Sequence, residues 1–284
     1  MTLFKKIISC SLIWFSVLTN LSAQDLLDYG NSLKYANYLF STRQYDLSSI
    51  EFERVVFMEP TDTLAKLKLI KSYRYSGKIE TARERLSAFF PGYPDLLPGD
   101  FSVEFLKLSF SANNYREGYD FLLNNKTIPD ETRAEYHLGI LAAQNRWTEA
   151  KSFADRYRYL MDKSEKFHSL NEICVNGLNT RYRKPWLAAS LSAVIPGTGK
   201  IYSGNWKDAV FSFLLITGTS WLAYNSIHNN GFNLESVLIG SAALGFYSAN
   251  VYGSYKSASH YNQSINQSFR NQVHDILVDD QEKK

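Results

Sequence analysis

The chain has 284 residues, enough for one or two domains, with 31 Lys and Arg against 28 Asp and Glu and a net charge of +3. That near balance leaves no broad basic footprint, so nucleic acid is not an expected partner. Aromatic residues make up 15% of the chain, 19 Tyr among them, a richness that helical repeats and membrane interfaces both use.

Residues 1–24 read as a secretory signal. Lys5 and Lys6 form a charged start, an apolar run follows from Ile7 to Leu18, and Leu21-Ser22-Ala23-Gln24 supplies small residues for cleavage near Ala23 or Gln24. A retained anchor is the competing reading, but the run is short for one. Cys10 lies inside the apolar run and makes no lipoprotein box. Cleavage would leave Cys174 as the only cysteine, which excludes an intramolecular disulfide and a cysteine-based zinc cluster.

From residue 25 to 163 the useful signal is a repeat. Ser48, Ala82, Gly118 and Ala150 are spaced 34, 36 and 32 residues, and three residues ahead of each stands a bulky side chain, Tyr45, Ile79, Tyr115 or Trp147. In the first unit Tyr35, Ala36 and Leu39 occupy helix A, Ser48, Phe52 and Val55 occupy helix B, and Pro60 ends it. In the second, Leu69, Ile70 and Tyr73 precede Gly77 in the turn, with Ala82, Leu86 and Phe89 beyond. This pattern resembles the tetratricopeptide repeat, whose period is 34. The resemblance implies an all-α solenoid in which Ala36, Ser48, Phe52, Tyr73, Ala82, Leu86, Gly118 and Ala150 pack the repeats. The third and fourth units depart from it at Pro91-Gly92-Tyr93-Pro94, Leu97-Pro98-Gly99 and Pro129-Asp130, which disturb its regularity.

Residues 164–184 continue as a capping and juxtamembrane helix, with Phe167, Leu170, Ile173, Cys174 and Leu178 at helical spacing. Cys174 reads there as a small buried apolar residue.

The run Lys184 to Gly204 divides a soluble half from a membrane-like half. Trp186 to Ile195 is apolar or small throughout, then Pro196-Gly197 stops the helix. About ten residues reach only half way across a hydrocarbon core of roughly 30 Å, so this segment reads as interfacial or re-entrant. Arg181, Arg183, Lys184, Lys200, Trp186 and Tyr202 suit the headgroup level. Gly197-Thr198-Gly199-Lys200 is not a phosphate-binding loop, because Val194 and Ile201 stand where that motif needs Gly and Ser or Thr. Ser192, Pro196, Gly197, Gly199, Lys200, Tyr202 and Gly204 instead form an S-A-x-x-P-G-x-G-K-x-Y-x-G pattern. It resembles a recurring membrane segment of uncharacterised bacterial proteins, in which the position of Lys200 is commonly Gln and helical repeats are often fused. The resemblance covers roughly 184–255 and implies membrane location, not an activity. A tight turn between helices is preferred over a ligand site for its glycines.

Residues 185–255 form the expected membrane domain: the short segment, then Asp208 to Ile227 and Leu234 to Tyr252, joined by His228-Asn229-Asn230-Gly231 into a hairpin of two crossings. A third crossing through 186–202 would better satisfy the charge rule but needs a very short span. Ser241, Gly245, Ala249 and Gly253 recur every four residues, a stripe for close packing within the hairpin or between two copies, the hairpin being preferred. Beyond Asp208 and Glu235 at the segment starts, neither segment contains Asp, Glu, Lys, Arg or His, which argues against transport. In the tail, 256–284, Tyr261, Ile265, Phe269, Val273 and Leu277 describe an amphipathic helix that needs a partner surface, and the capping helix is one.

His137, His168, His228, His260 and His274 show no metal-ligand spacing, and no nucleophile motif occurs. No catalytic residue, cofactor or metal is therefore predicted, and the chain is not read as an enzyme. The expectation is a scaffold anchored in the bacterial envelope, its repeats on the periplasmic side of the inner membrane, binding an envelope protein or peptide. Its further partners are the lipid bilayer and, as an open alternative, a second copy through the hairpin. A membrane-domain role in lipid binding or membrane-protein assembly, with the repeats accessory, is the rival reading.

Overall fold

Short polar side chains write several of the helix starts. The computed structural model describes residues 28–94 and 96–279, so the signal over 1–24 and the last five residues lie outside the described part. Every regular element in it is helical. Asp28 opens α1 (Tyr29–Ser41) by accepting from Asn31 N–H, and Asp62 opens α3 (Thr63–Tyr75) by accepting from Ala65 N–H at 2.9 Å. Between and after them lie α2 (Tyr45–Met58), α4 (Ile79–Phe89) and α5 (Gly99–Ser111).

The chain divides into two compact units, 1–112 and 113–284. In the first, α1 packs on α2, α2 on α3, α3 on α4, and α5 on both α3 and α4. Ala36, Phe52, Leu69, Ile70, Ala82, Leu86 and Phe105 are fully buried there. Ser48 fits between neighbours because its hydroxyl donates to Ala36 O at 3.3 Å and meets Ser72 Oγ at 3.1 Å.

The second unit contains α6 (Tyr115–Asn124), α7 (Asp130–Ala143), α8 (Trp147–Arg156), a 3₁₀ turn (Arg158–Leu160), α9 (Glu165–Asn179), α10 (Pro185–Val194), α11 (Thr198–Tyr202), α12 (Trp206–Asn230) and α13 (Leu234–Leu277). Helix α13 is 44 residues long and unbroken at 255/256, so hairpin and tail are one rod. It packs on α12, α11 and α10 along its first part and on α9 and α7 along its last.

One backbone feature recurs. Arg43, Gly77, Asn113 and Asn145 all have positive φ, at positions separated by 34, 36 and 32 residues. Each stands in the tight turn between consecutive helices, where a left-handed residue reverses the chain; Gly and Asn accept that conformation readily, Arg less so. At three of these turns the next N–H donates back to a carbonyl of the preceding helix at 2.9 Å: Gln44 to Leu39, Lys78 to Tyr73 and Arg146 to Leu141.

Candidate functional site

The Ser192–Gly204 motif sits where α10, α11, α12 and α13 converge. Pro185 starts α10 at its first turn, where no N–H is needed, and the helix stops at Val194 ahead of Pro196. Gly197 then adopts φ +90°, and a Cβ there would lie 2.4 Å from Ala209 O. At Gly199 a Cβ would stand 1.9 Å from Ala188 O, so the backbones of α10 and α11 touch and only glycine fits.

Hydrogen bonds close the same corner. Gly199 N–H donates to Ser192 Oγ at 2.9 Å, Ser192 Oγ pairs with Ser254 Oγ at 2.7 Å, and Asn250 Nδ2 donates to Ser192 O at 3.4 Å. Tyr247 OH donates to Ala193 O at 2.6 Å, and Tyr202 OH accepts from Lys184 N–H at 3.1 Å. Gly204, at φ +89°, turns the chain into α12, and Asn205 Nδ2 donates to Ser257 Oγ at 2.7 Å. These contacts run down α13 in order: Arg183 opposite Asn262, Ser192 opposite Ser254 and Ala193 opposite Tyr247. Segment α10 thus runs antiparallel to α13, and α11 carries the chain back to the level of Ser257 before α12 sets out. The path doubles back on itself, and its glycines serve turns and close approach. Gly199 N–H is already used by Ser192, and the Lys200 and Ile201 N–H groups by Gly197 O, so this loop offers no phosphate cradle.

A clip ties the segment between α9 and α10 to α13. Arg183 N–H donates to Asn262 Oδ1 and Asn262 Nδ2 donates to Arg183 O, both at 2.8 Å, while the guanidinium lies 5.0 Å from the Tyr202 ring centroid and 5.3 Å from that of Tyr261. Tyr182 OH donates to Asn266 Oδ1 at 2.8 Å.

The tail face is seated on α7 and α9. Phe269, Val273 and Leu277 are buried, Tyr261 and Ile265 half-buried. Phe269 meets the Trp147 ring edge-on at 4.9 Å, and Tyr136 OH donates to Leu277 O at 2.9 Å. Trp147 also fills the space over Gly177, where a Cβ would fall 2.4 Å from its ring. On α9, Phe167, Leu170, Ile173 and Cys174 are buried as the spacing predicts, but Leu178 is exposed and Gly177 takes its inward place. Burial pushes the Cys174 thiol up to about 12, with Lys151 acting weakly against it, so this is a packing cysteine.

One expectation needs correction, and a second has the support of one helix rather than two. The stripe Ser241, Gly245, Ala249 does not serve the hairpin: all three are exposed, a Cβ on Gly245 would meet nothing, and only Gly253 touches a neighbour, Lys200. The inward line on α13 is Ser236, Ala243, Asn250, Ser254 and Ala258, rotated from the stripe by about one residue. Of the two expected crossings, only Trp206–Asn230 is long and apolar enough among the described residues. Glu235, Ser236, Ser241, Ser248 and Asn250 dilute the Leu234–Tyr252 stretch, although Leu234, Val237, Leu238, Leu244 and Phe246 still point outward.

The repeat-packing residues occupy interiors. Ala36, Ser48, Phe52, Ala82, Leu86 and Ala150 are fully buried, and Gly118 and Tyr73 nearly so. Tyr73 is pushed up to about 12 by burial and by its hydrogen bond to Glu53 at 2.8 Å. Sequence reading missed a buried charge cluster in the first unit, where Arg74 Nε bonds Glu104 Oε2 at 2.9 Å and Lys107 Nζ stands 3.4 Å from Glu104 Oε1. Also missed was a groove over α7, where cavities of about 310 and 210 Å³ flank His137 and share Phe153. His137 lies 4.3 Å from the Phe153 ring, and burial, then Arg146, holds its pKa below 6.5. Among the described residues no three His, Cys, Asp or Glu side chains gather to hold a metal.

No family model, curated protein or solved structure matches the chain.

Proposed function

We propose that the chain is a membrane-attached scaffold of tetratricopeptide-like repeats that binds a protein or peptide, with the α12–α13 hairpin holding it at the cell envelope. The observation that carries this reading is α13 itself. Its first part lies beside the apolar α12, and its last part is docked on α7 and α9, so within the second unit the hairpin and these helices pack together. Helix α12 spans about 37 Å at 1.5 Å per residue, more than a hydrocarbon core of roughly 30 Å. Ser226 faces Ser236 and Asn205 faces Ser257, so the two helices run side by side over that length. If α12 crosses, the matching part of α13 crosses back. The recurrent left-handed turns support the repeat reading, since each marks the same point in a helix pair.

A partner surface fits the outward face of α1, where Tyr35 and Tyr38 are 49% and 58% exposed. Capture of the tagged full chain after crosslinking is expected to recover an envelope protein or peptide that Tyr35→Ala/Tyr38→Ala loses. Recovery of the same species by both would overturn the assignment of that face.

On this reading the repeats α6–α9 and the tail share one side of the membrane, the exported side if the signal acts as expected. Ser264→Cys in a Cys174→Ser background is then labelled by an impermeant thiol reagent on cells with a permeable outer layer, and Asn230→Cys is not. The reverse pattern would place the repeats in the cytoplasm.

A further inference from the structure

Lys200 is the one cation of the motif that the packing turns inward. Its stem runs from α11 across α13, where a Cβ on Gly253 would stand 3.6 Å from Cε and 3.9 Å from Nζ. Its Nζ donates to Ser212 Oγ of α12 at 2.6 Å, and the side chain is half-buried. That partner, Ser212, is neutral. Among the described residues no carboxylate pairs with Lys200, although an ammonium carries three donors. An ammonium held between helices at the edge of an apolar hairpin, with one neutral partner, has donors left over for an anion.

The surroundings say which anion. Lys207 stands 6.0 Å over the Trp206 ring and Lys256 5.8 Å over the Tyr252 ring, and both rings are more than 60% exposed. Exposed Val210, Phe211 and Leu214 continue along α12 from this level. Cations and amphipathic rings followed by an apolar wall match a phosphate with acyl chains attached. At the other end of the hairpin, residues 229–235 hold no Lys or Arg.

We propose that Lys200 and Ser212 bind the phosphate of an anionic phospholipid, with Lys207 and Lys256 flanking it. This rests on the membrane reading above, and the experiment separates the two. The full chain is first floated with phosphatidylcholine vesicles. It is then placed in nanodiscs of equal phosphatidylcholine and phosphatidylglycerol, gently extracted, and its retained lipids counted by native mass spectrometry. The wild type is expected to float and to retain phosphatidylglycerol over phosphatidylcholine by about fivefold, the worth of one well-placed cation near an anionic headgroup. Lys200→Met abolishes that preference while still floating, Lys200→Arg keeps it, and Lys207→Gln or Lys256→Gln weakens it by less than Lys200→Met does. Unchanged preference in floating Lys200→Met overturns the site. So does equal retention of the two lipids by the wild type, or displacement of phosphatidylglycerol by millimolar inorganic phosphate, which would mark a simple anion site. A wild type that does not float overturns the membrane reading and this site with it.

Discussion

The first unit and the hairpin region bury polar groups of different kinds. Among the described residues, the first unit encloses Arg74, Glu104 and Lys107, each less than a tenth exposed. The stretch 185–257 encloses only neutral groups: Ser192, Ser203, Ser212, Ser226, Ser236, Asn250 and Ser254. Burying an ion costs several kcal/mol and is offset only where a partner of opposite charge lies close by. Burial itself works against the charge on Arg74, yet the Glu104 carboxylate more than offsets it and raises the guanidinium's pKa. A hydroxyl costs far less, and several of these bond a carbonyl of their own helix: Ser254 that of Asn250, Ser203 that of Gly199, both at 2.9 Å. Small neutral groups with close backbones are how helices associate where water does not compete. The difference teaches that one chain packs helices by two chemistries, with Lys200 at the edge of the second.

The sharpest way to break the comparison is to remove the ion from the first unit. Glu104→Ala takes from the Arg74 guanidinium its buried carboxylate, and a loss of about 3–5 kcal/mol is expected in urea unfolding of the full chain. Hydrogen exchange in α3 and α5 should report it locally. Arg74→Met/Glu104→Leu should recover most of that loss, because two apolar groups leave no buried charge. A loss below about 1 kcal/mol in the single variant would mean that water reaches the pair. In the hairpin region the corresponding blow is steric. Gly199→Ala forces a Cβ onto Ala188 O, with an expected cost of about 1–3 kcal/mol or more, read as a lower melting temperature in detergent. Gly218→Ala is the control, since nothing lies within 4 Å there and helix propensity alone favours Ala by about 0.5–1 kcal/mol. Equal effects at both positions would mean that α10 and α11 do not touch.

Much of this was legible in the residues, and what was not has identifiable causes. The spacing of 34, 36 and 32 residues is visible because small residues stand at helix crossings, as the fully buried Ala82 and Ala150 show. The left-handed turns are half legible: Gly77 announces itself, while Arg43 carries no signal and Asn113 and Asn145 only a weak one. Four-residue spacing reveals a stripe on α13 but not its direction. Ser241 and Ala243 differ by only two positions, and which line turns inward depends on the hydroxyls and close backbones of α10 and α12. The Arg74–Glu104 pair joins residues 30 apart on α3 and α5, and no local pattern marks a charged residue as buried. The motif was the reverse case, since Pro196, Gly197 and Gly199 declared a turn whose partner, Ala188 O, only the packing could name.

The smallest expected effect concerns the groove over α7, where the two regions' rule is tested in a third place. His137 is a titratable group between the rings of Tyr119, at 5.1 Å, and Phe153, and of the carboxylates lining its cavities Glu149 is held by Arg146 and Asp130 lies beside Arg133. Burial, with Arg146 adding to it, lowers its folded pKa below the ordinary 6.5, so the folded chain binds the imidazole's proton less readily than the unfolded chain does. By linkage the stability this group contributes is fully present above about pH 6.5 and falls as pH drops toward the lower folded value. Glu135, on the same helix, runs the other way: burial raises its carboxyl above 4.5, against the hydrogen bond from Ser164, so its contribution grows as pH falls through its folded value. The two cannot be separated in the wild type alone. His137→Phe keeps a ring between Tyr119 and Phe153 and removes the titration, while Glu135 stays in both proteins. The difference in melting temperature between wild type and variant is therefore expected to shift in the variant's favour as pH falls below 6.5. A difference that stays constant across that range would show that His137 takes up its proton in the folded chain as easily as in water, and that the groove is open enough to hydrate an ion.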